Sequence, residues 1–416
     1  MKAQEKSLWG NTAMLYIMTF STQLLNLVTM PYLTRVLGPV AYGRISVAVA
    51  CSFYLQLLLD FGMILYATKQ IAQNRENPQA VNRIVSGVTC IKLTFATLLL
   101  TAFLIVSAGL FDHEERLLYA LYFCSTAIAA MIPDFYYRGI EKMRSITART
   151  LIARGFFTAM IFLFVRSDAQ ILLVPALLAI ANLIALCISW VDLFKRNVRL
   201  CRIPIREALN LIKGALPFLG SRIASTFYQG LNTVLIGSMY GQAAIVGFYG
   251  AADKLISAVK SAVSPVADSL FPYMVKHRDY KLIRKIMWVC VPLIVVGVTA
   301  AFVFAQPLCV FLFGDQYEPA GGILRLMLPI ALVLFPSYIL CFPVLVPMGL
   351  QKYANLSNGI GAIIQITGLA ILYVCRKVDV YSLCILASVS EVSVFLFRLI
   401  VVLCNHKRKT RFSAQE

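Results

Sequence analysis

The sequence predicts an all-α integral membrane protein with 12 transmembrane helices, arranged as two six-helix bundles around a central cavity with both termini in the cytoplasm. Three observations carry that expectation. The 416 residues are 60% hydrophobic and only 14% charged, against roughly 25% charged in soluble globular chains, and the mean hydropathy is +0.78. Apolar stretches of about 20 residues, the length a helix needs to cross a bilayer, recur along the whole chain. Lys and Arg alternate between rich and poor loops, as membrane topology requires. A soluble enzyme would need a polar exterior that this composition cannot supply. A disordered nucleic-acid binder would not carry so much Leu, Ile, Val and Phe. No nucleic-acid partner is expected, and the net charge of +19 calls for a membrane explanation.

In chain order the expected spans are 11–33, 41–66, 84–110, 117–137, 147–165, 171–193, 211–239, 246–274, 286–313, 323–348, 354–374 and 380–404. The opening MKAQEKSLWG lacks the compact charged region, short apolar core and small-residue cleavage site of a secretory signal, so the first span is expected to remain as a helix. Pro292, Pro329, Pro336 and Pro343 fall inside spans, where neighbouring helices can re-satisfy the carbonyls that proline frees.

Orientation follows from the basic residues. One set of loops holds Lys69, Arg75 and Arg83, then Arg138, Lys142, Arg144, Arg149 and Arg154, then Lys195, Arg196, Arg199 and Arg202, then Lys276, Arg278, Lys281 and Arg284, and the two tails are basic as well. The opposite set holds Arg35, Arg44, Arg116, Arg166, Arg376 and Lys377, beside the acidic run Asp112, Glu114 and Glu115. The basic side, with both ends, faces the cytoplasm. The outside loops are short, leaving no external domain.

The 11 cysteines are scattered, with no C-x-x-C pair, and read as small packing residues; the 3 histidines, His113, His277 and His406, fall in separate loops. No metal, cofactor or catalytic residue is expected from them.

An internal repeat organises the chain into residues 1–200 and 201–416. A constant shift lays Gln23 on Thr226, Asn26 on Gln229, Thr29 on Asn232 and Gly38 on Gly241. The loop G-P-V-A-Y-G from Gly38 is matched by G-Q-A-A-I-V-G from Gly241, and R-G-I-E-K-M from Arg138 by M-G-L-Q-K-Y from Met348. Two halves in the same orientation are related by an axis along the membrane normal and enclose a cavity.

Charges inside spans are informative, because each costs about 2.5–3.5 kcal/mol on insertion unless paired or wet. The basic set is Lys92, Arg222, Lys254, Lys260, Arg325 and Arg398; the acidic set is Asp60, Asp134, Asp253, Asp268 and Glu391. Asp253, Ser257, Lys260, Ser264 and Asp268 share one face of a helix, as do Arg222, Thr226, Gln229 and Thr233. Thr19, Gln23 and Asn26 line a face in the first span; Ser52, Gln56 and Asp60 do so in the second. These stripes are expected to face the cavity. Lys254 lies off its stripe and either pairs with Asp253 or a neighbouring helix, or serves the cavity. Lys92, Arg325 and Arg398 sit near expected helix ends and are read as snorkelling. Asp134 is read as a cap or a partner of Arg138, and Glu391 with Arg398 as either a structural pair or a coupling site.

The run N-L-V-T-M-P-Y-L-T-R-V-L-G-P-V-A-Y-G from Asn26 to Gly43, L-D-F-G from Leu59 to Gly62 and Y-Y-R-G-I-E-K-M from Tyr136 to Met143 resemble bacterial polysaccharide transporters, the Wzx O-antigen flippases of the MOP exporter superfamily. The resemblance is strongest over the first two spans and fits the whole chain in length. It implies translocation of undecaprenyl-pyrophosphate-linked oligosaccharides across the inner membrane by ion-coupled alternating access, alongside polysaccharide-assembly proteins. That family has no catalytic motif to transfer, so site residues rest on the stripes. Arg222, Lys260 and Lys254 are candidates for the pyrophosphate or an acidic sugar. Gln23, Asn26, Gln229 and Asn232 are candidates for sugar hydroxyls, and Asp60, Asp253, Asp268 and Glu391 for a coupling proton or sodium ion. The rival readings are a multidrug exporter of the same superfamily and a polytopic O-antigen polymerase or ligase. Cations in the stripes speak against the first, and the short outside loops against the second.

Overall fold

A computed structural model describes the backbone of residues 2–110, 112–226, 230–241 and 243–412. Within these it describes all side chains except those of 2–13, 15, 108, 110, 221, 224–226, 272 and 406–412. The described residues form helices joined by short turns, with no strand among them. In order they are α1 (Lys2–Asp60), α2 (Met63–Gln73), α3 (Pro78–Leu110), α4 (His113–Ala130), α5 (Asp134–Gly139), α6 (Met143–Phe164), α7 (Leu173–Lys195), α8 (Ile205–Thr226), α9 (Leu231–Tyr240), α10 (Ala244–His277), α11 (Tyr280–Val303), α12 (Ala305–Phe313), α13 (Ala320–Ile339), α14 (Gln351–Val374) and α15 (Val380–Phe412). A π-helical turn, Leu340–Leu345, continues α13.

Among the described residues, nine helical segments are long and apolar enough to cross a membrane. The first two expected spans run together in α1, which bends at Gly38, where φ is 71°. The expected span 211–239 is divided between α8 and α9, and 286–313 between α11 and α12. Helix α10 has the length to span, yet Asp253, Lys254, Lys260 and Asp268 dilute its hydropathy.

The chain divides into two compact units: Met1–Leu37 with Ile45–Gly230, and Gly38–Arg44 with Leu231–Glu416. In the first, α4 and α6 pack on α7, and α2 packs on α5 and α8. Its apolar centre joins Met63, Ile71, Val85, Val88, Tyr137, Ile146 and Leu193. Apolar burial drives this packing only where water is displaced; inside a bilayer, close van der Waals fit and polar ties take over. Thr29 meets Thr158 at 3.1 Å and Tyr32 donates to the carbonyl of Val165 at 2.8 Å, tying α1 to α6 and its C-terminal end.

In the second unit α13 is central, with α10, α11 and α15 packed on it and α14 on α15. Ala267, Met274, Ile283, Phe335, Ile339 and Val344 form its core. The two loops that the repeat aligns touch here. A Cβ on Gly43 would lie 2.8 Å from the amide nitrogen of Gly247, and one on Gly247 would lie 1.9 Å from the carbonyl oxygen of Pro39. Glycine at both positions lets the backbones meet.

Candidate functional site: paired charges within each unit

The first unit places Asp60 at the C-terminal end of α1. Phe61 and Gly62 take left-handed φ values of 45° and 72°, which stops the helix directly after the aspartate and starts α2 in a new direction. A carboxylate at a helix C-terminus opposes the helix dipole, and a buried one adds a desolvation cost, so cations must offset both. Two do so. The Lys92 ammonium of α3 lies 3.1 Å from Asp60 Oδ1, with side chains only 5% and 4% exposed. The Arg222 guanidinium of α8 lies 2.7 Å from Asp60 Oδ2 and keeps 36% exposure. Lys92 also donates to the carbonyl of Ala130 at 3.1 Å, at the end of α4, and lies over the Phe135 ring. Asp60 is thus the joint of three helices, and Arg222 its more accessible partner.

The reading of Lys92 as a snorkelling residue is therefore corrected. Helix α3 extends from Pro78 to Leu110, which puts Lys92 well inside it, and a carboxylate across the bundle fixes the ammonium there. A second correction concerns Asp134, which pairs with Arg149 rather than with Arg138. Arg149, assigned from sequence to a cytoplasmic loop, is buried in α6; it donates to Ser189 Oγ at 2.7 Å and lies over the Tyr137 ring. Tyr137 donates to the Ser189 carbonyl at 2.8 Å, closing a network among α5, α6 and α7.

The second unit has its own pair. Lys260 of α10 lies 3.1 Å from Glu391 of α15, at 33% and 18% exposure. Glu391 therefore does not pair with Arg398, and Arg398 does not snorkel. The Arg398 guanidinium is buried and donates to Ser357 Oγ at 2.8 Å, to the Ser337 carbonyl and hydroxyl at 3.0 and 2.8 Å, and to Asn358 Oδ1 at 2.7 Å. Two helices, α13 and α14, supply these neutral acceptors, and Ser337 lies just before the π-helical turn, where α-helical pairing of carbonyls is disturbed. Arg325 lies at a helix end as expected, donating to the carbonyl of Phe302 at 3.0 Å beside the C-terminus of α11.

Among the sequence-derived hydroxyl ligands, Gln23 is half-buried and Asn26 exposed on α1, while Gln229 lies outside the described residues. Asn232 is buried and accepts from Gln365 at 2.9 Å; Gln365 accepts in turn from Ser390 at 2.9 Å. Asp253 is half-buried, and Lys254 and Asp268 are exposed on α10. The structure thus brings together Asp60 with Arg222, and Lys260 with Glu391. Lys92, Gln365 and Ser390 complete the clusters and carried no stripe signal of their own. Among the described residues no group of His, Cys, Asp and Glu converges to hold a metal ion.

A profile of the polysaccharide biosynthesis protein family matches residues 8–278. A candidate O-antigen transporter of Shigella dysenteriae is 25% identical over 363 residues, covering 86% of this chain and 90% of the relative. One from Escherichia coli is 24% identical over 284 residues, covering 65% of this chain and 66% of the relative. In fold, the chain is similar to the lipid II flippase MurJ in an inward closed conformation, with a TM-score of 0.72 at 13% identity over 93% of this chain and 87% of that one. It is also similar to an inward-facing multidrug resistance MATE family transporter of the MOP superfamily, with a TM-score of 0.66 at 12% identity over 94% and 96% of the two chains. Membrane transport in polysaccharide biosynthesis and a multi-pass inner membrane location follow from these matches together with the candidate spans. With well over half its length matched by the family profile, the chain belongs to the polysaccharide biosynthesis protein family.

Proposed function

We propose that this protein flips undecaprenyl-pyrophosphate-linked oligosaccharide units of the O-antigen type across the bacterial inner membrane by ion-coupled alternating access. The names of the relatives support O-antigen transport, and the MurJ likeness supports a fold suited to a lipid-linked sugar. The observation that carries the reading is that each unit tethers a partly exposed cation to a carboxylate: Arg222 to Asp60, and Lys260 to Glu391. A pyrophosphate is a dense anion that hydrocarbon rejects, and it competes with a carboxylate for such cations through charge-assisted hydrogen bonds. Lys92 keeps Asp60 compensated when Arg222 turns to substrate. Lys254, exposed on α10 off the Lys260 stripe, adds a further cation for the substrate, and Gln23, Asn26 and Gln229 serve the sugar hydroxyls, while Asn232, buried and bonded to Gln365, serves packing instead.

Ion coupling belongs to the carboxylates. Taking up a proton or sodium ion at Glu391 or Asp60 releases its cation for the anionic substrate, and Asp253 and Asp268 extend that path along α10. The chain is read as twelve spans in two halves, 1–200 and 201–416, with both termini cytoplasmic, working with polysaccharide-assembly proteins.

The test is O-antigen display, read on lipopolysaccharide gels, in a deletion strain complemented with Arg222→Ala or Lys260→Ala. Loss of display at normal protein level is expected for each. Full display with both variants removes these residues from the mechanism.

A further inference from the structure

Within the second unit, α9 and α14 are joined at one level and apart at the next. The Asn232 and Gln365 hydrogen bond closes the space between them. Beyond it, toward the C-terminal ends of both helices, Leu235, Met239, Ile366, Leu369 and Tyr373 line a cavity of about 1000 Å³ that ends at Arg376. From Ile366 to Val374 the helix rises about 12 Å, a depth that accepts part of a hydrocarbon chain. Its wall belongs to a candidate membrane span, and Ile366, Tyr373 and Val374 are exposed along it. Hydrocarbon therefore reaches the groove from the side.

The mouth is cationic. Helix α14 ends with Arg376 at φ 55°, its amide donating to the Tyr373 carbonyl at 3.1 Å and that of Lys377 to the Leu372 carbonyl at 2.9 Å. This closure normally takes glycine at the left-handed position. Among the described residues, neither the Arg376 nor the Lys377 side chain enters a hydrogen bond or ion pair. Asp379, the acid of the same turn, is already used: its Oδ1 accepts from the amide of Ser382 at 2.6 Å and caps α15. The order along the groove is apolar shaft, aromatic ring, then uncommitted cations. That order matches a lipid's chain, interface and phosphate.

We propose that this groove is a binding site for an anionic membrane phospholipid, one chain lying between α9 and α14 and the phosphate held by Arg376 with Lys377. The assignment is independent of what the protein transports. The test uses the full-length protein in detergent, equilibrated with phosphatidylglycerol or phosphatidylcholine, with bound lipid counted by native mass spectrometry. Wild type is expected to retain phosphatidylglycerol about tenfold more than phosphatidylcholine, the value of one charge-assisted contact. Ser238→Trp and Ala370→Trp, both at exposed groove-lining positions, are each expected to abolish retention while the protein stays monodisperse. Arg376→Ala with Lys377→Ala is expected to bind both lipids alike. Three results overturn the proposal: no preference in wild type, phosphatidylglycerol undiminished in both tryptophan variants, or its full displacement by undecaprenyl phosphate, which would give the groove to the polyprenyl carrier. A lowered melting temperature in the Arg376 and Lys377 variant with unchanged lipid would leave those cations serving only the helix dipole, and also overturns it.

Discussion

Replacing Lys92 by Met removes the buried half of the Asp60 joint while keeping a side chain of similar length. The ammonium and carboxylate are 3.1 Å apart at 5% and 4% exposure, so neither is rescued by water. Breaking such a pair costs about 3–5 kcal/mol, because an uncompensated charge stays buried. Arg222 remains 2.7 Å from the other oxygen, which places the expected loss at the lower end, about 3 kcal/mol. For a folded unit of this size about 2–4 °C is lost per kcal/mol, so the purified protein should melt about 6–12 °C lower in detergent. Asp60→Asn combined with Lys92→Met removes both charges of the pair and should recover at least half of that loss, a coupling readable as a double-mutant cycle. Lys92→Met melting within about 1 °C of wild type, or strict additivity in the double variant, would refute the joint and return Lys92 to the snorkelling role its position in the sequence suggests.

Other expectations are narrower. Gly247→Val drives a Cβ to 1.9 Å from the Pro39 carbonyl oxygen, with only Pro39 backbone atoms to give way, so the protein should fail to accumulate in membranes by immunoblot, whereas Gly241→Ala, which meets nothing within 4 Å and bears only the strain of a left-handed φ of 55°, should accumulate at least in part. Arg398→Met strands the buried acceptors Ser337 and Ser357 and the half-buried Asn358; a loss of about 2–4 kcal/mol is expected in thermal melts, and Arg398→Lys should restore only part of it, because one ammonium cannot match the spread of a guanidinium. The exchange Lys260→Glu with Glu391→Lys should keep stability within about 1 kcal/mol, as befits a partly exposed pair, while abolishing O-antigen display. Display at wild-type level in that exchange would mean that the sign of charge on α10 is irrelevant to transport.

What was legible in the sequence depended on which physical scale carried the information. Span-length apolar runs act locally, so membrane class and approximate helix positions could be read directly; the stripe on α10 was expected to face a cavity, and the partner that Lys260 meets there, Glu391, could not be read from it. Pairing is different. The partners of Asp60 lie 32 and 162 residues away, on α3 and α8, and which of them faces it depends on helix rotation and depth. Periodicity within one helix supplies neither. Lys92 was misread because its helix is longer than the expected span, and Arg149 because a basic residue in the first turns of a span looks like a loop residue until Asp134 is seen opposite it. One long-range contact falls between segments that the sequence aligns, although the alignment by itself carried no expectation of contact. The repeat aligned the glycine-bounded loops from Gly38 and Gly241, and those loops meet at Gly43 and Gly247.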